Sequence, residues 1–135
     1  MSVVFLDFET SGFNPYHDDI IEIAIKLMNS DTSYNSLVHP QSNECISQRI
    51  TAVTSITNEL LRKEGIPWLD AFTELNDILK EIIKNSPNGK LYIVAHNGET
   101  FDFLFLKRIF SELNSLNIKT INPKNIVYID SLLFA

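Results

Sequence analysis

The chain has 135 residues, 44% of them hydrophobic, a single cysteine and a formal net charge of −6. That is the composition of one globular domain with enough mass for a real core, here residues 1–135. No apolar run approaches the ~18 residues of a membrane span, residues 1–10 carry no basic leader, and Cys45 has no partner for an internal disulfide. The expectation is an intracellular protein, in cytoplasm or nucleus, with no membrane partner. The acidic balance is opposite to that of most nucleic-acid binders, unless bound cations offset the acids where a phosphate approaches.

In chain order, Val3-Val4-Phe5-Leu6 runs straight into Asp7-Phe8-Glu9-Thr10, an apolar run that reads as a buried strand. Ser11-Gly12-Phe13-Asn14-Pro15 is a turn cluster. Ile20–Leu27 is rich in β-branched residues and predicts a second strand; a turn at Asn29-Ser30-Asp31 returns to a third around Tyr34–His39. Connections this short predict an antiparallel meander. Residues 41–66 are polar with short helical pieces, one of them Thr57–Glu64 closed by Gly65. From Pro67 to about Asn85, Phe72, Leu75, Ile78, Leu79, Ile82 and Ile83 recur at spacings of three and four, an amphipathic helix. Ser86-Pro87-Asn88-Gly89 breaks it. Leu91–Ala95 predicts a fourth strand, about Phe101–Asn114 a helix, and Ile126–Ile129 a fifth strand. The order implies an α/β fold: a mixed five-stranded sheet, antiparallel meander then parallel strands, flanked by helices.

Two stretches carry chemistry. Side chains alternate across a strand, so Asp7 and Glu9 share one side and Phe8 faces the other. Paired carboxylates at a strand end repel unless a cation, commonly a divalent metal, lies between them. The second stretch, His96-Asn97-Gly98-Glu99-Thr100-Phe101-Asp102, lies where the fourth strand gives way to a helix, a favoured ligand position in α/β sheets. Asp102 falls in the first helical turn, where the helix dipole is expected to stabilise its ionised form. If the fourth strand runs parallel beside the first, Asp102 joins Asp7 and Glu9. Three acids can hold two divalent ions about 3.5–4 Å apart, which activate a water and stabilise the leaving oxygen of a phosphodiester.

Asp7-Phe8-Glu9-Thr10-Ser11-Gly12 resembles the first motif of the DEDD 3′–5′ exonucleases, the proofreading-subunit-like group with a ribonuclease-H-like fold. His96–Asp102 resembles their second motif, and most resembles its form in the three-prime repair exonuclease branch. The resemblance spans essentially the whole chain. It implies hydrolysis of nucleic acid from a 3′ end to nucleoside monophosphates, with Mg²⁺ or Mn²⁺ on Asp7, Glu9 and Asp102. Thr10, Gly12, Phe13, Asn97 and Phe101 become substrate-binding candidates, and single-stranded DNA with a free 3′ end the favoured partner. Phe13 is a candidate wedge between the last two bases; packing of its turn is the alternative. The backbone N–H groups of Thr10–Phe13 are expected to hold the terminal sugar and phosphate, since Gly12 allows close approach.

The family's third motif, a His base followed by an Asp on a final helix, has no counterpart: His96 is the last histidine. The expectation is a C-terminally truncated domain lacking that helix, inactive or very slow by itself, with a catalytically degenerate nucleic-acid- or protein-binding module as the alternative. Apolar surface around Phe5, Ile23 or Leu132–Phe134 is then expected to be exposed and to favour a homodimer. Asp130 is a possible replacement carboxylate or, with Ser131, a helix cap. Glu22 reads as a strand residue, His17 and His39 as surface or turn residues, and Lys107-Arg108 as the solvated face of a helix. Cys45 sits in a polar loop with no nearby His.

Overall fold

The computed structural model describes residues 1–134; Ala135, the last of the apolar end, lies outside them. Strand β1 (Ser2–Thr10) is central, with β2 (Ile20–Leu27) antiparallel on one side and β3 (Ser33–Leu37) beyond it. On its other side lie β4 (Leu91–Ala95) and β5 (Ile126–Asp130), both parallel, giving the order β3-β2-β1-β4-β5. This is the mixed sheet that the meander and the strand–helix alternation predict.

Helices α1 (Gln48–Thr54) and α2 (Asn58–Glu64) fill the polar middle. Thr57 caps α2 through its side chain, accepting from the Leu60 N–H. Gly65 ends α2 as predicted, but in extended rather than left-handed backbone (φ −69, ψ 151). It is needed for space: a Cβ there would meet the Leu61 carbonyl and the His39 ring. Helices α3 (Trp68–Lys84) and α4 (Asp102–Ser115) cover one face of the sheet. Phe72, Leu75, Leu79 and Ile82 of α3, with Phe103, Leu106 and Leu113 of α4, pack there on Val4, Leu6, Phe8 and Ile93. A short 3-10 turn at Pro123–Asn125 leads into β5, and another at Ser131–Phe134 follows it.

The alternation along β1 is as read: Val4, Leu6, Phe8 and Thr10 are buried, while Phe5, Asp7 and Glu9 face the other way. Phe5, Leu132, Leu133 and Phe134 are exposed, as expected. Ile23 is not. It pairs with Phe8 on the helix-covered face and is fully buried. Among the described residues no helix is long and apolar enough to cross a membrane.

Candidate active site

The site exists because β1 is longer than its parallel neighbour. Pairing with β4 runs from Ser2↔Leu91 to Phe5↔Val94 and stops, while β1 continues to Thr10 paired only with β2. Past Phe5, the backbone groups of β1 on that side need other partners. Asp102, in the first turn of α4, supplies one: the Phe8 N–H donates to its Oδ1 at 3.0 Å. That bond seats Asp102, only 3% exposed, beside the Asp7 and Glu9 positions of the strand. On the other side of β1, Glu9 pairs in register with Glu22, and the register slips just beyond, between Glu9 and Thr10. Residues paired directly across antiparallel strands share a face, so Glu22 stands beside Glu9.

Four carboxylates therefore gather with no cation among them: both ion pairs found among the described residues belong to Arg108. Burial pushes the Asp102 carboxyl up to about 6, and the negative charges of Asp7 and Glu9 add to this against the bond from Phe8. Burial raises Asp7 as well. Glu9 is raised by burial first and then by Asp7 and Glu22, and Glu22 by burial and Asp7. The expected stabilisation of ionised Asp102 by the helix dipole is thus overturned: desolvation outweighs it. As donors these groups fit a hard divalent cation, being oxygen ligands of excess negative charge. Among the described residues, no three His, Cys, Asp or Glu side chains stand close enough as they are to hold one.

The flanking loops are held by their own side chains. Thr10 Oγ1 donates to the Gly12 carbonyl at 2.6 Å, and the Ser11 N–H donates to the Asp19 carbonyl at 2.8 Å, so this amide is not free for a ligand. A Cβ on Gly12 would run into the Asp18 carboxylate, which itself accepts from the Asn14 N–H at 2.8 Å; the glycine makes room for Asp18. Phe13 is 77% exposed, so it does not pack the turn into the core. Its ring stands 6.3 Å from that of Phe101, which packs edge-on against Phe105 at 5.0 Å. Phe13 and Phe101 thus form an aromatic wall, whose Phe101 directly precedes Asp102 in the chain.

In the second loop Asn97 has left-handed backbone (φ 59) and its Oδ1 accepts from Thr100 Oγ1 at 2.7 Å, a turn-shaping role. Asp130 is 5% exposed and accepts from the Glu99 N–H at 3.1 Å and the Leu132 N–H at 3.0 Å. Burial alone would raise its pKa, but bonds from the Glu99, Leu132, Asn97 and Gly98 amides together lower it. Its oxygens are committed to the backbone, capping the 3-10 turn and pinning the 97–99 loop, which argues against a fourth metal carboxylate. Among the described residues no histidine hydrogen-bonds to Asp7, Glu9 or Asp102; His96 Nδ1 lies 3.4 Å from Ser131 Oγ.

Two groups escaped the reading of the sequence. Glu22 reads as an ordinary strand acid until the hairpin register is known; counting back from the Asn29–Asp31 turn is the signal that finds it. Arg108 is not on a solvated face. It bonds Glu112, Gln41 and two carbonyls of the 15–18 loop. Lys107 is exposed as expected, over the Tyr128 ring at 5.1 Å.

Comparison with known proteins agrees with this architecture. The exonuclease family model RNase_T matches residues 4–134. A DNA polymerase III PolC-type protein of Thermotoga petrophila is 33% identical over 98% of this chain, which spans 8% of that protein. Exonuclease DPD1, chloroplastic/mitochondrial, of Arabidopsis thaliana is 29% identical over 98% of the chain, which spans 40% of it. Among solved structures, exonuclease I with the inhibitor BCBP superposes with a TM-score of 0.78 at 17% identity, over 98% of this chain and 29% of its own. E. coli exonuclease I in complex with a dT13 oligonucleotide gives 0.68 at 19% identity, over 82% and 23%. The fold is ribonuclease-H-like, and the chain belongs to the RNase_T exonuclease family, of the DEDD type that its two motifs resemble.

Proposed function

We propose that this chain is the nuclease domain of a metal-dependent 3′–5′ exonuclease, releasing nucleoside monophosphates from a 3′ end and favouring single-stranded DNA. The observation that carries this is the Phe8–Asp102 bond, which sets a buried acid beside Asp7 and Glu9. Asp7, Glu9 and Asp102 would hold Mg²⁺ or Mn²⁺. When bound, such ions supply a polarised water and stabilisation of the leaving oxygen. Phe13 and Phe101 offer aromatic faces to the terminal bases, a contact indifferent to base identity. The loop of Thr10 and Gly12 and the turn of Asn97 frame this position. Family membership and an oligonucleotide-bound fold neighbour support the reading.

A second reading rests on the histidines. Among the described residues none of them hydrogen-bonds to the three acids, and the second reading takes none of them as the base that removes a proton from an attacking water. A positioned base contributes roughly 10²–10⁴-fold, and the isolated chain is expected to be slower by that order or silent. In the second reading the domain binds 3′ ends without cutting them.

A gel assay on a 5′-labelled single strand with Mn²⁺ tests the proposal. Slow stepwise shortening from the 3′ end, stopped by a chelator and by Glu9→Gln, supports the exonuclease. A strand that is bound but never shortened supports the binding module. Release of the 5′ label as the first product, or cutting unaffected by chelator, overturns both.

A further inference from the structure

The loop that presents Phe13 buries Pro15 and Asp19 and leaves its other residues exposed or half-buried. Phe13 and Tyr16 are exposed, and the 11–19 segment turns on hydrogen bonds within itself: the Asn14 carbonyl accepts from the His17 and Asp18 amides at 3.1 and 2.8 Å. Beside the Ser42 Oγ bond to Asp19 and the Phe13–Phe101 ring contact, the tie to the helix is Arg108, six positions after Asp102 on α4. Its Nη1 donates to the Pro15 carbonyl at 3.1 Å and also to the Asp18 carbonyl. Its Nη2 donates to Gln41 Oε1 at 2.7 Å and its Nε to Glu112 Oε1 at 3.2 Å, while Asp19 Oδ1 lies 4.0 Å away. Gln41 closes the far side, donating from Nε2 to the other Glu112 oxygen at 2.5 Å. The guanidinium side chain is 18% exposed.

We propose that Arg108 is a positioning residue that clamps the 13–18 loop to α4 and so fixes Phe13 relative to Asp102. This rests on Phe13 being the contact to the terminal base. One helix then carries both a site acid and the clamp for the aromatic wall, so the two move as one body. The clamp grips main-chain carbonyls, so it holds the loop whatever side chains the loop carries. The geometry needs a planar fork of several donors held at once; an ammonium is a single point charge and does not reproduce it.

The test compares the native chain with Arg108→Gln, Arg108→Lys, Phe13→Ala and the Phe13→Ala/Arg108→Gln double variant. Amide hydrogen exchange reads the clamp without reference to nucleic acid. The His17 and Asp18 amides are expected to exchange about tenfold faster or more in both Arg108 variants, with β1 and β4 as protected as in the native chain. Fluorescence anisotropy with a single-stranded oligonucleotide and Ca²⁺ reads the function. Arg108→Gln is expected to weaken binding by about tenfold, Arg108→Lys by less, and the double variant no more than the worse single one, since both act on one contact. Unchanged loop exchange overturns the clamp. Losses that multiply in the double variant, or exchange rising equally in β1 and β4, reduce Arg108 to a general structural role and overturn the positioning. A native chain that binds no oligonucleotide sinks the nuclease reading and the link to Phe13 with it; the exchange result still decides whether Arg108 holds the loop.

Discussion

The backbone N–H of Phe8 donates to the carboxylate of Asp102, 94 residues away in the chain, at 3.0 Å. One bond joins the two motifs. It also explains why α4 begins where it does: the acid that opens the helix satisfies the strand that outruns its neighbour.

A metal titration follows from the charge balance. Asp7, Glu9 and Asp102 repel one another with no cation among them, and a divalent ion relieves that repulsion. Calorimetric titration with Mn²⁺ is expected to give a binding isotherm that Asp7→Asn weakens by about tenfold or more. Equal binding by the Asp7 variant would remove Asp7 from the site.

The raised acids also set a pH dependence. Asp102 sits near 6 in the fold against an ordinary 3.8, so the folded state binds its proton more tightly than the unfolded state does. A raised pKa contributes stability that is complete below the unfolded value and is lost as pH rises through the folded one. In metal-free protein the window is from about 4 to about 6, and the Asp102 contribution is on the order of 2–3 kcal/mol. The melting temperature with chelator present should rise as pH falls from 7 toward 5, and Asp102→Asn should flatten that rise. An equal slope in the variant would place the titration elsewhere.

The elements were legible because their periodicities are strong. The alternation from Val4 to Thr10 and the apolar stripe of α3 fix strand and helix by local pattern alone. What the sequence hid is long-range. The ionisation of Asp102 turns on its burial, and burial depends on where β4 stops pairing with β1, which no local pattern records. Arg108 has the composition of a surface residue; only the path of the 15–18 loop over α4 makes it an anchor. The burial of Ile23 is hidden for a related reason, since its neighbour Phe8 is known only from the register of β1 and β2.

Asp130 should matter without touching a ligand. Its oxygens hold the loop that leads into Phe101 and Asp102. Asp130→Ala is expected to cost roughly 10–100-fold in Mn²⁺ affinity, as losses of groups supporting a metal ligand commonly do. Because its pKa is depressed, its hold is present above about 3.8 and fades as pH falls through the lowered value. Native affinity in a folded Asp130→Ala protein would show that the loop keeps its place by other means.

The aromatic wall predicts a preference for open ends. Stacking on a ring is worth about 1–3 kcal/mol per base, so Phe13→Ala should weaken single-strand binding by roughly tenfold. Blunt duplex, whose terminal bases stay paired, should bind more weakly than a single strand, and base identity should matter little. Undiminished binding by Phe13→Ala would leave that ring without a role in recognition.

A metal-assisted site for a free 3′ end shows itself in binding whether or not the chain cuts. Fluorescence anisotropy with Ca²⁺ compares one single-stranded oligonucleotide with a free and with a blocked 3′ hydroxyl, each with and without chelator. Blocking the end is expected to weaken binding by about tenfold or more, and chelation to remove the difference. Equal affinity for the two oligonucleotides, unchanged by chelator, would contradict such a site.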